Sequence, residues 1–345
     1  MVILASNFEG CPRNLQQTFV DSMVLVQEFG KPQFFITMTC NTDWPEIQDN
    51  LRPNEKPCDR PDIVVKVFQG KLKELMNDIK NNHIFGTYIA WTYVIEFQKR
   101  GLPHAHILVW IHKNNKIRNG PDVDKYVSAE IPDQNIHPRL FEIVKKFMIH
   151  GPCGSINTKS SCMDEQKQQC TKNFPKAFNE STDYDTNGYP IYKRPNNGRK
   201  ISYSKSRTAH NRFVVPYNPY LSLKYNCHIN VEICSTILCV KYSFKYCYTG
   251  HDCANIKLKT IDLSQSPDSQ IKTIDNDEIK QYVDTRYVCP PEACHRIFEF
   301  IMHGMSHAIY RLAVHDKNEQ NVYFKEGCEH EFLDKNVETT LALTT

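Results

Sequence analysis

No run of apolar residues in this 345-residue chain approaches the ~20 needed to cross a bilayer as a helix, which excludes a span of that kind. The N-terminus lacks a basic stretch followed by an extended apolar one, so no secretory signal is expected. The 14 Cys are therefore expected as reduced thiols or metal ligands rather than disulfides. Nowhere does Gly-x-x-x-x-Gly-Lys-[Ser/Thr] occur, so no ATP hydrolysis on a phosphate loop is expected. Acidic side chains are nearly missing from one segment: residues 186–251 hold only Glu232, where average composition would supply about seven.

That segment is basic inside a chain of net charge +3. It carries Lys193, Arg194, Arg199, Lys200, Lys205, Arg207 and Arg212, interleaved with Tyr189, Tyr192, Tyr203, Phe213, Tyr217 and Tyr220. Cations that track phosphates, alternating with rings that stack bases, suit single-stranded nucleic acid. The same pattern also describes a solvated loop whose aromatics anchor it to the core.

Elsewhere the chain reads as mixed α and β. Leu15, Phe19 and Met23 at helical spacing predict a helix over 14–29, stopped by Gly30-Lys31-Pro32. The β-branched and aromatic run at 34–39 predicts a strand, and Val64, Val67, Phe68, Leu72, Leu75 and Ile79 a helix over 63–80. Residues 87–98 and 105–112, joined by a short polar segment, predict a hairpin. Helices are further expected over 138–149 and 232–249, with a short strand at 227–231. His303 and His307, four apart without nearby carboxylate or Cys partners, read as ordinary helix residues.

The hairpin carries His104-Ala105-His106, which places two imidazoles on one face of a strand because side chains alternate with period two. A chain with 14 His produces such a pair by chance about every second time, so context decides its weight. Glu96 on the preceding strand lies within reach, and His, His, Glu leaves coordination positions open for a substrate oxygen. The alternative for Glu96 is a solvent-facing carboxylate. On the expected helix 232–249, Ile233, Ile237, Val240, Phe244 and Tyr248 form one stripe, while Tyr242 and Tyr246 fall near the opposite side beside Lys241 and Lys245. Nearby cations favour a phenolate, the form of Tyr that attacks a phosphodiester.

Several long motifs occur in fixed order. They are Phe35-Ile36-Thr37-Met38-Thr39-Cys40-Asn41 with Trp44-Pro45-Glu46-Ile47, and the hairpin from Tyr93 to Leu108. They continue through Ile149-His150-Gly151-Pro152-Cys153-Gly154, Val215-Pro216-Tyr217-Asn218-Pro219-Tyr220, Cys227-His228-Ile229-Asn230-Val231-Glu232 and Lys241-Tyr242-Ser243-Phe244-Lys245-Tyr246. Together they resemble the Rep endonuclease region of Helitron transposases, often named the Helitron helicase-like domain, over most of residues 1–330. The likeness is to the two-tyrosine group of His-hydrophobic-His (HUH) rolling-circle nucleases.

The resemblance implies an α+β fold with a central antiparallel sheet flanked by helices, a Rep-like nuclease core over 1–255, and a smaller C-terminal segment over 256–345 behind a polar linker. Within the core it sets a metal hairpin at 87–112, a Cys-rich insertion at 150–175, a basic segment at 186–231 and a tyrosine helix at 232–249. It implies His104 and His106 as ligands of Mg²⁺ or Mn²⁺, with Glu96 as the third. Tyr242 and Tyr246 match the paired nucleophiles, with Lys245 supporting them and Lys241 on the DNA. Thr249 stands where the family often has Lys, which weakens the expectation of a phosphate contact there. The implied activity is nicking and joining of single-stranded DNA at transposon ends through a 5′-phosphotyrosine, in the nucleus. Full-length relatives carry a helicase that this chain is expected to lack. A DNA-binding remnant without catalysis and a metal-dependent hydrolase using activated water remain the alternatives.

His150, Cys153, Cys162 and Cys170 have the residue types of a structural zinc site, with reduced structural thiols as the alternative because the Cys gaps are looser than those of a zinc finger.

Overall fold

The structure is a computed structural model that describes residues 8, 11–97, 101–151, 153–154, 157–164, 166, 169–204, 207–234, 288–310, 313–315 and 340–342. The chain divides into two units, Met1–Ser306 and His307–Thr345. In the second, strands Ala313–His315 and Thr340–Ala342 pair in parallel.

The first unit is α+β, built on a five-stranded, wholly antiparallel sheet. Its strands are β1 (Phe34–Thr39), β2 (Tyr88–Phe97), β3 (Pro103–Ile111), β8 (Ile229–Ile233) and β9 (His303–Met305), in the order β8-β1-β3-β2-β9. The minor pairs β4 (Asp183–Tyr184) with β5 (Pro190–Ile191), and β6 (Lys200–Ser204) with β7 (Arg207–His210), lie outside it. The helices among the described residues of the unit are α1 (Pro12–Phe29), α2 (Pro45–Gln48), α3 (Pro61–Lys80), α4 (Gly120–Asp124), α5 (Pro138–Phe147), α6 (Pro219–Tyr225) and α7 (Pro290–Ile297).

The sheet has two different faces because each strand alternates. Phe34, Ile36, Met38, Ile95, Ala105, Ile107, Val109, Ile229 and Val231 point to one side and share a core with Val64, Phe68, Leu72, Leu75 and Ile79 of α3. Complete burial of a side chain such as Phe68 or Leu72 contributes roughly 1.5–3 kcal/mol. Pro61 at the first turn of α3 starts the helix at no hydrogen-bonding cost, since an N–H there has no intrahelical acceptor. Asp78 near the end of α3 is fully buried and accepts from Lys224 Nζ (2.8 Å) and Tyr225 Oη (2.6 Å), which ties α6 to α3.

The opposite face is apolar at one end only. There Phe35, Leu108, Trp110 and Cys234 pack against Leu25, Met23 and Val26 of α1. A Cys11 Sγ cap and Pro12 start α1, and Gly30, at φ 75, ends it. The other end of this face is polar, and it is where the hairpin's imidazoles stand.

Two expectations are corrected. Glu232 and Ile233, the start of the expected helix 232–249, extend β8 instead, because Ile229, Val231 and Ile233 alternate into the core beside β1. His303 belongs to edge strand β9, opposite Val94, and His307 lies in no helix. Residues 235–250 lie outside the described residues, and with them Tyr242, Tyr246, Lys241 and Lys245. Among the described residues no helix is long and apolar enough to cross a membrane.

Candidate metal centre

Strand register decides which side chains meet. Glu96 and Thr39 stand opposite His104 from the two sides, and Val94 and Thr37 stand opposite His106. Paired residues of an antiparallel ladder share a face. Central strand β3 therefore presents both imidazoles between a carboxylate on β2 and two hydroxyls on β1. Beyond β1, Asn230 of β8 stands opposite Thr37, and His228, just before β8, meets Thr39. Gly101, at φ 79, belongs to the hairpin turn that brings β3 back beside β2, a backbone state that favours Gly.

The imidazoles are held differently. His104 Nδ1 donates to the Leu102 carbonyl at 3.0 Å, which fixes the tautomer and leaves Nε2 with its lone pair. Burial pushes the His104 pKa down to about 4, so the ring is neutral at neutral pH, the form that ligates a metal. His106 Nε2 lies 3.0 Å from Glu96 Oε2 and its Nδ1 lies 3.1 Å from Thr37 Oγ1, with the ring stacked on Phe35 at 5.8 Å. A hydroxyl both donates and accepts, so Thr37 can serve either tautomer of His106. The His106 hydrogen bond holds Glu96 below the usual carboxylate range.

Two donor atoms 3.0 Å apart match the edge between neighbouring ligands of a small octahedral cation, about 3.0 Å for bonds near 2.1 Å. The Glu96–His106 pair thus fits such an ion. His104 shares the face but does not close with them into a compact three-ligand sphere. Among the described residues the only group of three or more His, Cys, Asp or Glu with ligand atoms mutually within 4.8 Å is a different one.

That group is His150, Cys153, Cys162 and Cys170. A backbone bond from His150 N to Phe213 O (2.8 Å) sets the imidazole, which stacks on Phe174 at 4.3 Å. Thr171 N donates to Cys162 O (2.8 Å), folding the second and third thiols together. His150 Nε2 lies 3.3 Å from Cys162 Sγ and 3.4 Å from Cys170 Sγ. The N to S edge of a zinc tetrahedron is about 3.5 Å for bonds near 2.05 and 2.3 Å. Burial, reinforced by Lys176 and Lys172, keeps His150 neutral. Burial, with Cys170 and Cys162 adjacent, pushes the Cys153 thiol up to about 12, a cost that a divalent cation removes. This cluster can hold a metal such as zinc.

The expected basic segment divides. Arg194 is buried, and its Nη1 donates to Val214 O (2.6 Å), Asn211 O (2.7 Å) and Ala129 O (3.5 Å). It braces three chain segments and is not available to phosphate, which corrects that expectation. Arg212 donates to Lys176 O and lies over Phe178, Arg199 pairs with Asp133 (3.3 Å), and Lys193 pairs with Glu130 (3.1 Å). Lys200 is exposed, while Lys205 and the Arg207 side chain lie outside the described residues. Tyr192, Phe213 and Tyr217 are core residues and Tyr189 is half-buried, which leaves Tyr203 and Tyr220 as the exposed rings of that segment, 45% and 49% accessible.

Thr37, Thr39 and His228 are the site residues that sequence reasoning did not single out. The T-x-T and H-x-N-x-E alternations carry the signal, since each puts its polar members on one face of a strand.

On the central strand of this antiparallel sheet, two imidazoles thus share one polar face with a carboxylate and two hydroxyls. Residues 1–109 match the family described as "Helitron helicase-like domain at N-terminus", a span that includes β1, β2 and both hairpin imidazoles. The match supports the Helitron-related family that the motifs indicate, over about a third of the chain. No curated protein sequence matches the chain.

Proposed function

We propose that the chain nicks and joins single-stranded DNA by tyrosine transesterification, with Mg²⁺ or Mn²⁺ on Glu96, His104 and His106. The observation that carries this reading is the Glu96–His106 pair, 3.0 Å apart beside a neutral, tautomerically fixed His104. Bound there, a divalent cation would neutralise charge on the scissile phosphate.

The phenolic oxygen of Tyr242 or Tyr246 attacks phosphorus in line and forms an O–P bond. The bond from phosphorus to the 3′ oxygen breaks, and that oxygen takes up a proton as a free 3′-hydroxyl. The phenolic proton is lost to solvent, a step that the cations Lys241 and Lys245 favour. The product keeps one phosphodiester in the 5′-phosphotyrosine, so rejoining needs no nucleotide. Two tyrosines permit a second transfer while the first adduct persists, which suits rolling-circle transposition in the nucleus.

Replacing His104 or His106 by Ala is expected to abolish Mn²⁺-dependent cleavage of a single-stranded oligonucleotide while its binding persists. Cleavage unchanged in both variants would refute the reading.

A further inference from the structure

A groove of about 640 Å³ runs along α5, lined by Arg139, Lys145, Lys146, Glu142, Tyr203 and Asn226. Three of those side chains are cationic and one is acidic. Lys145 pairs with Glu142 at 3.2 Å and Lys146 with Asp43 at 2.8 Å, all four groups at least 39% accessible. Exposed pairs of this kind are weak and exchange readily for phosphate. Arg139 is anchored on the Leu223 carbonyl through Nη2 (3.0 Å). Tyr203 donates its hydroxyl to the Lys145 carbonyl (2.8 Å), which leaves its ring, 45% accessible, as a fixed flat wall. One anchored and two exchangeable cations beside an exposed ring are what a single strand needs, charge for phosphates and a plane for one base.

The groove also leads to the right place. Asn226, in its lining, accepts at its carbonyl from Asn41 Nδ2 at 2.8 Å. Asn41 lies two residues beyond Thr39, and Asn226 two residues before His228, the pair at the imidazole end of the sheet. Two residues span at most about 7 Å.

We infer that this groove is the track along which single-stranded DNA enters the metal hairpin, with Arg139, Lys145 and Lys146 on phosphates and Tyr203 under a base. The inference rests on the nuclease reading for its substrate. Its test is separate because binding is measured without added Mg²⁺ or Mn²⁺, where no cleavage occurs.

The full chain is titrated into a labelled oligo-dT of about 16 nucleotides, at several salt concentrations, by fluorescence anisotropy. Joint Lys145→Glu and Lys146→Glu substitution is expected to weaken binding at least about tenfold and to flatten the log–log salt slope by about 1.4. Tyr203→Leu is expected to weaken it about tenfold with the slope unchanged. Charge reversal of exposed Lys113 and Lys116, beyond the opposite end of β3, is the matched control and should change affinity less than about twofold. In the unsubstituted chain, photocrosslinking of a 4-thiothymidine oligonucleotide should map to residues 139–146 or to Tyr203. Groove variants that bind as the parent does, a control that loses as much, or crosslinks confined elsewhere would each overturn the track. A failed nuclease reading shows instead as missing cleavage with groove-dependent binding intact.

Discussion

Glu96 stands directly opposite His104 in the β2–β3 ladder, yet its carboxylate hydrogen-bonds His106, diagonally across the strands at 3.0 Å. One carboxylate thus couples both imidazoles, by register to one and by contact to the other. Glu96→Gln removes the charge and keeps the shape. It is expected to weaken Mn²⁺ binding about 10- to 100-fold, as read by calorimetric titration, with little change in melting temperature. Unchanged Mn²⁺ affinity would remove Glu96 from the site.

His295 of α7 is fully buried between Phe97 and Phe300, and among the described residues neither ring nitrogen has a hydrogen-bond partner. Burial pushes its pKa down to about 4, and does the same for His104 and His303. The unfolded chain binds these protons near pH 6.5 and the folded one does not. Stability is therefore complete above about pH 6.5 and falls as pH drops towards 4, by at most about 3 kcal/mol per ring. Thermal melts across that window should show the decline, and His295→Phe should make it shallower. An equally steep decline in the variant would contradict this origin.

Zinc content separates the two readings of the Cys-rich segment. Protein purified without chelator is expected to carry about one zinc per chain, lost on Cys162→Ser, with a lower melting temperature in both the variant and the stripped protein. Metal-free protein that melts at the same temperature before and after zinc addition would leave His150, Cys153, Cys162 and Cys170 as packed thiols and imidazole.

Arg194 belongs to the scaffold despite its basic neighbourhood. Arg194→Ala strands carbonyls of Asn211 and Val214 and is expected to cost about 3 kcal/mol in denaturant unfolding. Asp78→Ala is expected to cost about 3–5 kcal/mol, since it leaves Lys224 and Tyr225 without their buried acceptor. Lys200→Ala, at an exposed position, should be neutral. A neutral Arg194→Ala would return that residue to the surface.

Strands β1–β3, the helices α1, α3 and α5, and the shared face of Glu96, His104 and His106 were legible because each depends on local period: two for β1–β3, 3.6 for the helices. Where two periods fit the same residues, the reading failed. Ile233 with Ile237 and Val240 fits a helix, and equally Ile229, Val231 and Ile233 fit a strand; pairing with β1 decided for the strand. His303 with His307 fits a helix, but a ladder with β2 claims His303. Arg194 was misread because charge in a sequence says nothing of burial, and three carbonyls from two separate segments satisfy it. The residue types of His150, Cys153, Cys162 and Cys170 pointed to a group, and the loose Cys gaps left it open; the chain closes it through bonds such as Thr171 N to Cys162 O.

The central claim is that a phenol of this chain becomes covalently joined to DNA at the metal hairpin. A single-stranded oligonucleotide labelled at its 3′ end is incubated with the full chain and Mn²⁺, denatured in detergent and resolved by gel. The account predicts a labelled adduct that maps by mass spectrometry to the peptide holding Tyr242 and Tyr246, absent in the doubly substituted Tyr242→Phe, Tyr246→Phe chain. Strand cleavage that leaves no adduct, or that persists in the double variant, would contradict it.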